Sequence, residues 1–232
     1  MTRIERMVVL GASNAWRGLP SLVQAIRQRA GGPVDLLFAA GYGRSYGMRT
    51  RVLGKSRPGI LASGLWPTLR ERPRAATAAL VTDVGNDILY GAPAGIVVGW
   101  VAEAVRRLAE AGGRIVITGL PVAAIADLGP LRYLAVRTLL FPGSRIPLTD
   151  ARSRALEIHE GLRDLATRYE AAFVEPEGAW YGLDPIHVRR SERERAWTAL
   201  LDPLGRAAST PTEKLSRRAL ARLDDGTRIA LY

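Results

Sequence analysis

The 232-residue sequence contains no cysteine. Structural disulfides, thiolate-bound zinc, iron–sulfur clusters and a cysteine nucleophile are therefore excluded. Histidine occurs only as His159 and His187, too few for a histidine-rich metal centre. Lysine is as scarce: only Lys55 and Lys214 among 33 basic residues, so arginine spread along the whole chain carries the net charge of +11. Scattered arginine with abundant Ala, Gly and Pro reads as coding bias of a GC-rich genome rather than as a clustered nucleic-acid footprint. No nucleic-acid partner is expected, and attraction to anionic substrates or surfaces remains as a background effect. Long apolar runs are also missing. The longest, such as GAPAGIVVGWVAEAV, fall short of the ~20 residues of a membrane helix, and the apolar stretch of MTRIERMVVLGAS is too short for a secretory signal. The chain reads as soluble and cytoplasmic, with no stable membrane anchor.

What is present is ordinary globular material: 47% hydrophobic, 24% charged, mean hydropathy +0.01. Short apolar runs at residues 7–12, 34–40, 78–84, 114–120 and 172–174 predict buried strands. Amphipathic stretches at 19–30, 94–111 and 150–169 predict helices, the second stopping at Gly112–Gly113 and the third capped by Asp150. Strands alternating with helices imply a mainly parallel sheet covered on both faces. Ligands then sit beyond the carboxyl ends of the strands. One α/β domain is expected over 1–201, with 202–232 as a charged tail docked on it. Residues 121–148 interrupt the rhythm, apolar but carrying Arg132, Arg137 and Arg145. They read either as a lid or substrate-binding insertion, or as one more helix packed on the sheet.

Four segments after predicted strands could carry chemistry. GASNAWRG places Ser13 between small residues at a strand-to-helix turn, where a nucleophile is held exposed and backbone N–H groups face a developing oxyanion. Alone, such a turn is equally a structural device. In AAGYGRSYG, Gly41, Gly43 and Gly47 permit positive φ and close approach to a ligand, or simply a flexible turn. In TDVGNDILYG, Asn86 offers a neutral amide donor suited to an oxyanion, or an ordinary Gly-Asn-Asp turn. In GLDPIHVRR, Asp184 and His187 are three apart on one loop, with Pro185 keeping Asp184 out of helical geometry. His159 lies in a polar helical stretch and reads as a surface residue.

A serine, a glycine, an asparagine and an Asp-x-x-His thus follow predicted strands in order. Over about residues 7–188 this resembles the SGNH hydrolases, also called GDSL-like lipases and acylhydrolases. The resemblance implies a three-layer α/β/α sandwich with a five-stranded, mainly parallel, flavodoxin-like sheet. It implies Ser13 as nucleophile, Gly43 (or, in the other register, Gly41) and Asn86 as oxyanion donors, and Asp184 with His187 completing a triad. Two positions depart from the family pattern: Ala12 where Gly-Asp-Ser has its aspartate, and Val84 where Gly-x-Asn-Asp has its first glycine.

The chemistry expected is acyl-ester hydrolysis through an acyl-enzyme, as in an esterase, thioesterase or deacylase, with no metal or organic cofactor required and a small acyl ester or thioester as substrate. An acyltransferase uses the same site if an alcohol or amine outcompetes water. The competing class is an inactive scaffold of this kind that binds a small anionic ligand or a partner protein, favoured by Ala12 and Val84. For specificity, Trp16, Tyr42 and Tyr46 are candidate walls and Arg44 a candidate anion contact. Against this, Trp16 could pack as core and the tyrosines lie on the surface.

Overall fold

A computed structural model describes residues 3–52, 54–205, 215–220, 223 and 225–232. Its centre is a sheet of six parallel strands: β1 (Arg6–Leu10), β2 (Asp35–Ala39), β5 (Thr77–Val81), β6 (Arg114–Thr118), β7 (Ala172–Val174) and β8 (Arg228–Leu231), ordered β7-β6-β5-β1-β2-β8. A small antiparallel hairpin, β3 (Thr50–Val52) with β4 (Lys55–Arg57), stands apart.

The central strands are buried on both faces, which is why they read as unbroken apolar runs. Side chains alternate across the sheet. Val8 and Leu10 of β1 join Leu37, Ala79, Val81 and Ile117 in one core. Met7 and Val9 join Leu36, Phe38, Leu80 and Val116 in the other. Helices α3 (Leu65–Glu71), α5 (Ala94–Glu110) and α8 (Leu148–Arg168) close the first core, and α2 (Leu19–Ala30) with α9 (Arg193–Leu201) the second. Short helices α1 (Ser13–Arg17), α4 (Asn86–Leu89), α6 (Val122–Ala126) and α10 (Arg217–Leu220), with the longer α7 (Pro130–Leu140), complete the set among the described residues. None of the described helices is long and apolar enough to cross a membrane.

Three expectations change. The sheet has six strands, not five: within the stretch read as a tail, β8 pairs in register with β2, Arg228 opposite Asp35 and Leu231 opposite Phe38. Asp150 does not cap α8, which begins two residues earlier at Leu148 and holds Asp150 inside its first turn, where its charge favours the helix dipole. Residues 121–148 form two helices, α6 and α7, and only Tyr133 of α7 is fully buried. Within that tail the segment EKLSRRALARL reads as helical from its sequence; a helix is described over Arg217–Leu220, and residues 213, 214, 221 and 222 lie outside the described residues.

From β1 the chain steps one way to β2 and later the other way to β5, so the strand order reverses beside β1. The crevice beyond the carboxyl ends of these strands is the ligand position such sheets provide.

Candidate active site

Ser13 opens α1 directly after β1, and its N–H, at a first helical position, has no partner earlier in the helix. The loop holding Asp184 and His187 is pinned at its base by a bridge between Tyr181 and Val188 and by the Arg189 N–H donating to the Trp180 carbonyl at 2.9 Å. This brings His187 Nε2 to 3.0 Å from Ser13 Oγ, while His187 Nδ1 lies 2.5 Å from Asp184 Oδ2. Asp184 Oδ1 also accepts the Ile186 and His187 backbone N–H groups, at 2.8 and 3.3 Å. Burial alone would raise the Asp184 carboxyl. The imidazole and the two N–H groups outweigh it and hold the carboxyl below its ordinary value. An ionised Asp184 accepts the hydrogen bond of Nδ1–H, which leaves Nε2 free to accept from the serine hydroxyl.

Two residues not singled out from sequence hold this arrangement. Asp83 sits at φ +59, a left-handed conformation uncommon outside glycine. Its Oδ2 accepts the N–H groups of Ala12 (2.9 Å) and Ala15 (3.0 Å), and its Oδ1 accepts Asn14 Nδ2 (2.9 Å). Asn14 Nδ2 also donates to the Ile186 carbonyl, and Asn14 Oδ1 accepts the Val188 N–H, both at 2.9 Å. One amide thus ties the serine turn to the histidine loop, and one carboxylate ties both to the end of β5. Ala12 has no carboxylate of its own, yet its N–H is held by one.

Asn86, 6% exposed at the start of α4, donates Nδ2 to the Arg44 carbonyl at 3.3 Å. Gly43 lies at φ +57, its carbonyl accepting from the Tyr90 hydroxyl at 2.7 Å. A Cβ there would lie 2.5 Å from the Tyr90 oxygen and 2.6 Å from Val52, so only glycine fits. The next residue of α4, Asp87, is fully buried and accepts the Tyr46 N–H at 3.1 Å. Burial pushes its carboxyl up to about 6 despite hydrogen bonds from Ser45 and Tyr46.

A cavity of about 120 Å³ runs from Ser13 and Asn86 between Val84, Ile88, Leu120 and Leu128, with Tyr133 and Val136 of α7 over it. Among the described residues no cluster of three or more His, Asp and Glu side chains could hold a metal ion.

The sequence matches no protein-family model and no curated protein. Solved structures do resemble it. The psychrotrophic esterase EstA from Pseudoalteromonas sp. superposes with TM-score 0.53 at 12% identity, covering 86% of this chain and 95% of that one. A GDSL-like lipase from Bacteroides thetaiotaomicron gives 0.55 at 12%, covering 86% and 87%. The aryl esterase of M. smegmatis gives 0.55 at 13%, covering 85% and 97%. The chain has the SGNH-hydrolase fold.

Within this fold the structure brings Ser13, His187 and Asp184 into one hydrogen-bonded line and sets Asn86 on the same cavity wall as Ser13. The candidate specificity residues lie elsewhere. Trp16 packs against the guanidinium groups of Arg57 and Arg217, at 5.7 and 5.0 Å from its ring centroid, and does not line the cavity. Tyr42 is 45% exposed and also outside it. Tyr46 is fully buried, its hydroxyl donating toward the Leu10 and Thr82 carbonyls, which ties the ends of β1 and β5. Arg44 is 1% exposed, and its guanidinium donates to the Tyr232 carbonyl beside β8 rather than entering the cavity. Burial, with Arg57 nearby, lowers it to about 10. Residues 121–148, the other specificity candidate, do contribute to the cavity through α6 and α7.

His159 is not a surface residue: it is 2% exposed. Arg163 donates to its Nε2 at 3.2 Å, which leaves Nδ1–H to donate to the Leu120 carbonyl at 3.2 Å. Its ring meets Phe173 edge-on at 5.4 Å, so it supports the loop that carries cavity residue Leu120.

Proposed function

We propose that the protein is a serine-dependent hydrolase of carboxylic esters. The observation that carries this is the hydrogen-bonded line Ser13–His187–Asp184 at the carboxyl end of the sheet, opening on an apolar cavity. Ser13 Oγ attacks the ester carbonyl as His187 Nε2 takes its proton. The tetrahedral intermediate collapses, His187 returns the proton to the leaving alcohol, and the acyl group stays on Ser13. Water, deprotonated by His187, then attacks the acyl-enzyme and releases the carboxylic acid. Asp184 orients the imidazole and stabilises its cation without taking the proton. The oxyanion is received by the Ser13 and Gly43 N–H groups and the Asn86 amide. Each such donor is typically worth about 10²–10³ in kcat.

The fold neighbours named as esterases and as a lipase support the reaction class. The cavity is smaller than the roughly 150 Å³ space that takes benzene, so short acyl groups suit it best. The test is hydrolysis of p-nitrophenyl acetate and butyrate by the wild type and Ser13→Ala. Turnover by the wild type, lost in the variant by about three orders of magnitude or more, supports the reading. No turnover of any short ester by folded wild type would contradict it.

A further inference from the structure

Helix α7 is apolar on both faces yet lies on the surface. Tyr133 and Val136 face the cavity. Leu131, Leu134, Ala135, Thr138 and Leu139, at the i, i+3, i+4, i+7, i+8 spacing of one helical stripe, are all exposed. Leu131 is 85% exposed and Leu139 80%. Leu183, 84% exposed, is drawn alongside because Arg132 donates to the Gly182 and Leu183 carbonyls. No charge interrupts the stripe. A helix apolar all round is normally covered all round, and a contiguous apolar patch of this kind marks an interaction surface.

Charge identifies what covers it. At about 100° per residue, Arg132 and Arg137 fall on opposite flanks of the stripe. Residues 121–148 carry three arginines and one acid, Asp127. Among the described residues none of Arg132, Arg137 and Arg145 forms an ion pair, and the hydrogen bonds of Arg132 and Arg137 end on neutral carbonyls, so their charge is uncompensated. The longest run outside the described residues, 206–214 (RAASTPTEK), has no large apolar side chain with which to cover leucines. An apolar stripe flanked by Arg132 and Arg137, with exposed Arg145 close behind in the chain and no acid neutralising any of the three, fits the boundary of an anionic bilayer. The net charge of +11 adds long-range attraction to such a surface.

We propose that the outer face of α7, with Leu183, docks on an anionic lipid surface. The assignment does not rest on the hydrolase reading.

The experiment measures binding of Ser13→Ala, which needs no activity, to vesicles of phosphatidylcholine with 30% phosphatidylglycerol and to vesicles of phosphatidylcholine alone. Binding is expected on the anionic vesicles and should weaken by about tenfold or more when Leu131→Ser and Leu139→Ser are combined. The same pair in the wild-type background should leave kcat/KM for p-nitrophenyl acetate within about twofold, because neither side chain reaches the cavity. Absence of vesicle binding, or binding untouched by the double substitution, overturns the assignment. A dimer in light scattering that the double substitution dissociates, without vesicle binding, overturns it in favour of a self-interface. Vesicle binding with no turnover of any ester would leave the docking surface standing and remove the hydrolase reading.

Discussion

Asn14 and Asp83 are joined by a 2.9 Å hydrogen bond from the Asn14 amide to the Asp83 carboxylate, linking the serine turn to the end of β5. The same amide group holds the Ile186 carbonyl and the Val188 N–H on either side of His187. The Ser13–His187 distance is therefore set by a polar crosspiece and not by apolar packing alone. Asp83→Asn places an amide donor against the Asn14 donor, and either the pair breaks or Asn14 flips and releases Val188. We expect kcat for a short ester to fall at least about tenfold with KM little changed, since a small displacement of catalytic groups costs this much. Asn14→Ala should lower stability by about 1–3 kcal/mol, the cost of leaving buried partners unpaired. A double-mutant cycle on thermal stability should show coupling of about 0.5–3 kcal/mol between the two positions. Additive effects would mean that the crosspiece does not act as a unit.

Asp87 predicts a pH signature. Its carboxyl is raised to about 6 by burial, so the folded protein binds this proton more tightly than the unfolded chain does. Stability from this residue is present below the unfolded value, near pH 4, and is lost as pH rises through about 6. The loss amounts to about 3 kcal/mol. Asp87→Asn abolishes the titration. Its stability relative to wild type should therefore climb by up to that amount between about pH 3.5 and 7 in urea unfolding. A flat difference across the range would show that the Asp87 carboxyl is not raised.

The cavity predicts acyl-chain selection by α7. Val136→Phe fills space under the helix and should lower kcat/KM for p-nitrophenyl hexanoate relative to acetate by about tenfold, the effect of removing room for a methylene or two. Trp16→Ala, by contrast, should leave that ratio unchanged, because Trp16 packs against Arg57 and Arg217 outside the cavity. Esters of graded chain length, assayed on both variants, check the two expectations together.

Gly43→Ala tests the glycine turn. A side chain at φ +57 is strained, and its Cβ would collide with the Tyr90 hydroxyl and with Val52. We expect a loss of stability beyond the ~1 kcal/mol of an ordinary positive-φ substitution, with kcat falling by about 10²-fold or more as the oxyanion donor is displaced. Gly41→Ala, whose Cβ meets only ordinary contacts at 3.4 Å with the Arg57 side chain, should be mild in both respects. A reversed order would favour the Gly41 register.

The parts of this molecule visible in sequence are those whose signal is local. Strands buried on both faces show as apolar runs, and α2 announces itself by periodicity between Gly18 and Gly31. The residues that meet at Ser13 each follow a strand, so their order is visible even though their distances are not. What was hidden depends on distant segments meeting. β8 is four residues at a sheet edge, preceded by a charged stretch that masks it. Asn14 and Asp83 are ordinary polar residues until the serine turn, the β5 loop and the histidine loop come together. The charged surroundings of His159 point to the surface, yet the residue is buried. Its spacing from Ala155 and its place beside Ile158 and Leu162 mark the buried face of α8. Arg44 and Tyr46 looked available because their turn is glycine-rich, yet the turn folds both side chains inward.

The central claim, an activated Ser13, is tested most directly by intact-mass analysis after treatment with a fluorophosphonate. The account predicts one adduct on wild type, none on Ser13→Ala, and labelling slowed by about 10³-fold or more on His187→Ala. A folded wild type that takes up no label, or a Ser13→Ala protein that still does, would contradict it.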